Sequence, residues 1–229
     1  MHGSFVNFEG YSPFSIDKIV YYSSANGETK INPNSSFNIS KLHQFTDIAI
    51  FINNNNNGNF NSKNTLKKVT LTDIKFDLKP SYGTPNLYFK SLNDFASDKY
   101  YENYKLSSDI MFDTSSEETI DLSTPILYNN CANPITICYV NSDIISDYTL
   151  SGNISNIAYD GSLLKSCNVT LNSIACKISF LITIINNLDE SYLCPVILSI
   201  PLSTESSTIY DGNLILNNNP GYRFIKKQN

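Results

Sequence analysis

Outside its first four residues the chain carries a single histidine, His43. A Ser-His-Asp or Cys-His pair for nucleophilic catalysis would have to use it, and no Gly-x-Ser-x-Gly elbow is present to offer it a serine. His43 lies in Lys41-Leu42-His43-Gln44-Phe45, at the mouth of a predicted strand, where a half-buried polar side chain is the plain expectation. One histidine also removes every metal centre that needs several. Carboxylates are the remaining candidates, because glycoside hydrolysis needs only two acids at a suitable gap. Glu117, Glu118, Asp121, Asp143 and Asp147 could supply such a pair. A sugar site also wants an aromatic platform, and the chain has no tryptophan. Its strand tyrosines alternate with apolar residues, as cross-strand partners do.

Calcium calls for several oxygen ligands at close spacing. Asp143-x-x-x-Asp147 and Asp109-x-x-x-Asp113 are too sparse for that. Neither a P-loop nor a Gly-x-Gly-x-x-Gly turn occurs, so nucleotide binding has no support. The five cysteines, at 131, 138, 167, 176 and 194, form no Cys-x-x-Cys pair. Zinc and thioredoxin-like readings therefore fail. Three of them fall inside apolar strand patterns, where a thiol behaves as a small hydrophobe, and free buried thiols are expected. These residues predict no enzyme, no cofactor and no metal.

Composition narrows the partners. Charged residues make up only 16% of the chain, so 31 Asn and 30 Ser must supply most of its polarity. The net charge is −5 and Arg223 is the one arginine. Phosphate neutralisation and guanine reading lean on Arg and Lys, so nucleic acid is not an expected partner. No run of 18 apolar residues exists to cross a membrane as a helix. Met1-His2-Gly3-Ser4 reads as a cloning scar, and the fold reading starts at Phe5.

The elements are strands. Short apolar runs alternate with period two between Asn, Gly, Pro and Ser clusters. Residues 45–52 form one such run, and the Asn-rich stretch 53–59 reads as a loop. In 66–78 the apolar positions are odd at Val69 and Leu71, then even at Ile74, Phe76 and Leu78. A one-residue slip turns every side chain to the other face, so a β-bulge near Thr72 and Asp73 is predicted to restore the apolar side. Residues 80–85 read as a loop and 92–104 as the one plausible helix. Further strands are expected over 135–140, 144–150, 154–159, 169–171, 174–185, 192–200, 208–216 and 222–225. Tyr159-Asp160-Gly161-Ser162-Leu163 echoes Tyr210-Asp211-Gly212-Asn213-Leu214, which recurring turn chemistry explains.

The expected fold is an all-β antiparallel sandwich, jelly-roll-like or immunoglobulin-like, with at most one short helix. The Ser, Thr and acid-rich stretch 113–124 suggests a boundary or an inter-sheet connection. It would divide an N-terminal β region, 5–116, from a C-terminal sandwich, 117–229. The central hairpin pairs Cys176, Ile178, Phe180, Ile182 and Ile184 with Tyr192, Cys194, Val196, Leu198 and Ile200 on one face. Leu181, Ile185, Leu193 and Ile197 make the opposite face apolar too, and form the candidate interaction surface. Pro195 cannot donate to a ladder, so its nitrogen should face an edge or a bulge.

The functional expectation is a non-enzymatic structural, assembly or adhesive protein, such as a phage or viral virion component or a surface module. It would work through a protein partner or as a homo-oligomer, on a virion or at the cell surface. The alternatives are a glycan- or peptide-binding module using residues 53–59 and 80–85, and an intracellular inhibitor acting by surface complementarity.

Overall fold

The longest hairpin joins β1 (Phe14–Ile31) to β2 (Ser36–Asn54). The computed structural model describes residues 12–33, 36–54, 66–89, 110–113, 134–151, 162–200, 213–216 and 221–228. The remaining strands are β3 (Leu66–Leu78), β4 (Thr84–Phe89), β5 (Ile110–Asp113), β6 (Ile135–Ile145), β7 (Tyr148–Ser151), β8 (Cys176–Asn186), β9 (Ser191–Ile200), β10 (Asn213–Leu216) and β11 (Ile225–Lys226). They form two antiparallel sheets packed face to face. The first runs β10-β1-β2-β6-β4, with β7 also on β2, and the second runs β11-β9-β8-β3-β5.

Both sheets take strands from both sides of the expected 116/117 division. β2 pairs with β6 in the first sheet, and β3 pairs with β8 in the second. The physical reason is the core: Ile48, Ile50, Val69 and Leu71 pack in one cluster with Ile137, Phe180, Ile182 and Val196. Neither stretch closes that core alone. β5 lies in the second sheet and β6 in the first, and residues 114–133 between them lie outside the described residues.

Bulges keep apolar residues facing inward along strands too long for strict alternation. In β3 the pairing with β8 shifts between Thr72 and Lys75, and Asp73 takes a left-handed backbone at φ 54°. Val69 and Leu71 are buried before the shift, while Ile74 and Phe76 pack on the same core after it. Leu78 does not follow them: a second shift beyond Phe76 leaves it 51% exposed. β1 uses the same device between Ile16 and Lys18, so that Ile16 and Ile19 are both buried. A further shift falls at Gly27, where a Cβ would stand 2.8 Å from the Ile39 Cγ2 methyl.

Several expectations need correction. Asn53 and Asn54 belong to β2, opposite Ser15 and Phe14, rather than to the Asn-rich loop; 55–59 lie outside the described residues. Residues 169–171 are not a strand. A short helix, α1 (Ser162–Ser166), precedes them, and Asn168 just beyond it, with φ 58°, closes its C-terminal turn. The Val169 amide then donates to the Leu164 carbonyl at 3.0 Å, a C-terminal cap that buries both side chains. The sequence echo does not repeat in structure, since Leu163 is helical and Leu214 lies in β10. The expected helix 92–104 and strand 154–159 fall outside the described residues.

Among the described residues two large apolar cores result, beside a small cluster of Phe45, Tyr88, Cys138 and Val140. The larger lies between the sheets around Ile50, Ile137 and Ile182. The smaller gathers Phe37, Ile39, Leu42 and Ile144 with Leu163, Leu164 and Cys167 around α1. Between them the inner face of the first sheet turns polar, at Ser23, Thr46, Gln44 and Asn141, all buried.

Candidate functional site

The four residues of the expected interaction surface lie together on the outer face of the second sheet. Alternation in β8 buries Ile178, Phe180, Ile182 and Ile184, which leaves Leu181 and Ile185 pointing away from the core. β9 does the same with Leu193 and Ile197. Register adds two apolar neighbours: Pro195 stands opposite Leu181, and Ile225 of β11 stands opposite Leu193. Leu181, Ile185 and Leu193 are half-buried, Ile197 is 49% exposed and Ile225 38%. Lys75 and Lys177 stand exposed beside this patch, and Lys68 is half-buried opposite Ile185.

Among the described residues, β11 pairs with the outer side of β9 at Tyr192 and Leu193 only. The Ser191 carbonyl accepts from the Lys227 amide, and the Ile197 carbonyl accepts from the Tyr222 hydroxyl. Residues two apart in a strand direct their backbone groups to the same side. Pro195 therefore turns its nitrogen toward that edge, where β11 offers no acceptor to miss it.

The first sheet behaves differently. Its outer face is buried at Phe45, Asp47, Ala49, Thr136, Cys138 and Val140, so β2 and β6 are covered on both sides. The sequence reading missed this second buried face. Its signal was present: Ile48-Ala49-Ile50-Phe51-Ile52 and Ile135-Thr136-Ile137-Cys138-Tyr139-Val140 are nearly unbroken apolar runs, as strands buried on two faces tend to be.

Of the chemistry-bearing residues, the structure brings His43 and Asp143 together, through the backbone amide of Asp143. The Nδ1 of His43 accepts the Asp143 backbone amide at 3.3 Å, and the ring tilts against Phe45. Asp143 has φ 55° in a bulged segment of β6, so His43 caps an amide that the ladder leaves over. Asp143 and Asp147 are exposed, while Glu117, Glu118, Asp121 and Asp109 lie outside the described residues. No group of three or more His, Cys, Asp or Glu is placed to hold a metal ion among the described residues. Glu190 serves the β8–β9 turn: it accepts from Lys226, Asn186 and Tyr192, which hold its carboxyl below the ordinary range.

Cys138, Cys167, Cys176 and Cys194 are free and buried, as expected; Cys131 lies outside the described residues. Burial pushes the thiols of Cys167 and Cys176 up to about 11 and that of Cys194 up to about 12. Protonated and enclosed thiols are poor nucleophiles. They pack as small apolar groups.

Among the described residues a polar belt lies between the two large cores. Gln44 stands opposite Asn141 in the β2–β6 register, and Tyr139 lies two residues along on the same face. All three are fully buried, and Gln44 Oε1, Gln44 Nε2, Asn141 Oδ1 and the Tyr139 hydroxyl have no hydrogen-bond partner within the protein. Burial, with the Cys176 thiol beside it, pushes the Tyr139 hydroxyl well above the ordinary phenol range. An unsatisfied buried polar atom costs about 1–3 kcal/mol. Above the belt, Asn141 Nδ2 donates to the Tyr82 carbonyl at 2.9 Å, and the Tyr82 amide donates to Ser173 at 3.0 Å. That turn is therefore pinned from two sides with the Tyr82 ring 56% exposed.

The fold places this chain in the class of antiparallel two-sheet β-sandwiches. Compared with known proteins, it matches no family model, no curated protein and no solved structure. Among the described residues no helix is long and apolar enough to cross a membrane.

Proposed function

We propose that this chain is a non-enzymatic structural or assembly protein, of the kind that builds virions or decorates surfaces, acting through the outer face of its second sheet. The observation that carries this reading is the apolar group of Leu181, Ile185, Leu193 and Ile197, joined by Pro195 and Ile225 on a sheet whose β9 edge is paired, among the described residues, only at Tyr192 and Leu193. Exposed contiguous apolar patches on soluble proteins mark contact sites more often than single apolar residues do. A sheet edge adds backbone groups that a partner strand can pair.

Sedimentation of the purified protein over a rising concentration series tests it. Self-association that disappears in the pair Leu181→Lys and Ile197→Lys, with melting unchanged, is the expected result. A monomer at every concentration that also captures no protein partner through this face would overturn the reading.

A second reading has one observation in its favour. Tyr82 presents an exposed ring on a turn fixed by two backbone contacts, an arrangement suited to stacking on a sugar. Glycan-array binding abolished by Tyr82→Ala would shift the assignment to a glycan-binding module.

A further inference from the structure

We propose that the polar belt between the two cores is an internal hydration site, in which buried water is held by Gln44, Tyr139 and Asn141. The inference is independent of the proposed function, because the site faces the opposite sheet rather than the outer face of the second one.

Register sets the three residues side by side on one face. Residues directly opposed on antiparallel strands have Cβ atoms roughly 4.5–5.5 Å apart, and Gln44 and Asn141 are such a pair on the inner face. Tyr139 follows on that face, opposite Thr46. The Ser23 and Thr46 hydroxyls satisfy each other at 3.3 Å, so they close the belt on one side without serving Gln44. Asn141 cannot turn its amide to help. Its Nδ2 is committed to the Tyr82 carbonyl, and its Oδ1 sits 2.2 Å from where a Cβ of Gly83 would be.

Three amide atoms without a partner, and a Tyr139 hydroxyl whose neighbour is the Cys176 thiol, define what can bind. Gln44 Oε1 and Asn141 Oδ1 accept, Gln44 Nε2 donates, and the Tyr139 hydroxyl does either. Water, with two donors and two acceptors, meets that set, and buried waters typically make about three such bonds. None of the three side chains carries charge, which leaves an ion without a counter-charge in the belt. Their full burial leaves no opening for a larger solute.

Water-to-protein NOE measurements on the labelled protein decide the matter at the Gln44 side-chain amide. A cross-peak with the sign of long-lived water is expected, together with a density peak within hydrogen-bonding distance of Gln44 and Tyr139 in a high-resolution crystal. Gln44 pairing directly with Tyr139 and Asn141, with no such cross-peak, would overturn the proposal. Gln44→Met keeps the side-chain length and removes both polar atoms. In that variant the long-lived water signal, read by oxygen-17 relaxation dispersion, should fall; an unchanged signal counts against the site. If the variant does not fold, the wild-type NOE still gives the answer.

Discussion

The side-chain oxygen of Asn141 occupies the space that a β-carbon on Gly83 would need, with a gap of only 2.2 Å. Gly83 also holds φ at +89°, a region that other residues enter at a cost. Gly83→Ala meets both penalties, and the Ser142 carbonyl at 2.8 Å blocks an easy retreat. We expect it to lower stability by about 2–4 kcal/mol. The check is a shift of the urea midpoint with the slope preserved.

Asp73 sits left-handed at the β3 bulge. Glycine adopts that conformation freely, whereas a β-branched residue there pays about 1–2 kcal/mol. Asp73→Gly should therefore raise stability by about 0.5–1 kcal/mol, and Asp73→Val should lower it. Deleting Asp73 should be far worse than either, since Ile74 and Phe76 would turn outward. Equilibrium unfolding of the three variants separates these outcomes.

The two faces of the second sheet should respond oppositely to truncation. Ile182 is fully buried, so Ile182→Ala should cost about 2–5 kcal/mol through lost burial and a residual cavity. Ile197 is half exposed, so Ile197→Ala should move stability by less than about 0.5 kcal/mol. Its effect belongs in association, measured by sedimentation.

Alkali should weaken the fold through its thiols. Cys167, Cys176 and Cys194 ionise near 9.0 when unperturbed, and burial raises them to about 11, 11 and 12. The folded state thus keeps protons that the unfolded chain has lost, so stability falls as pH rises. Their contribution is complete below about pH 9 and disappears as pH climbs through about 11 and 12. Thermal melts across that window should show a declining midpoint. Cys→Ser variants at these positions should flatten the decline, and a thiol reagent should label the native protein slowly and the unfolded one fast.

Alternation was the most legible signal. The central hairpin, with Phe180 opposite Val196, lies in the register that period-two burial requires. The change of parity from Leu71 to Ile74 was enough to place a bulge, because the backbone must slip if both are to be buried. His43 was legible as a lone polar side chain, though its bond to the Asp143 amide depends on a bulge 100 residues away. The outer apolar face of β8 and β9 could also be read directly, as Leu181, Ile185, Leu193 and Ile197 fall on the parity opposite to the core.

Local pattern could not reveal which strands meet. Residues Gln44, Tyr139 and Asn141 look like ordinary polar and aromatic members of two alternating runs, and only the pairing of β2 with β6 makes them neighbours. The same pairing joins two distant stretches of chain in one sheet. Side-chain parity is a property of adjacent residues and survives in the sequence. Strand order and sheet-to-sheet packing depend on contacts between distant residues, so the polar belt and its two flanking cores exist only once the chain has folded.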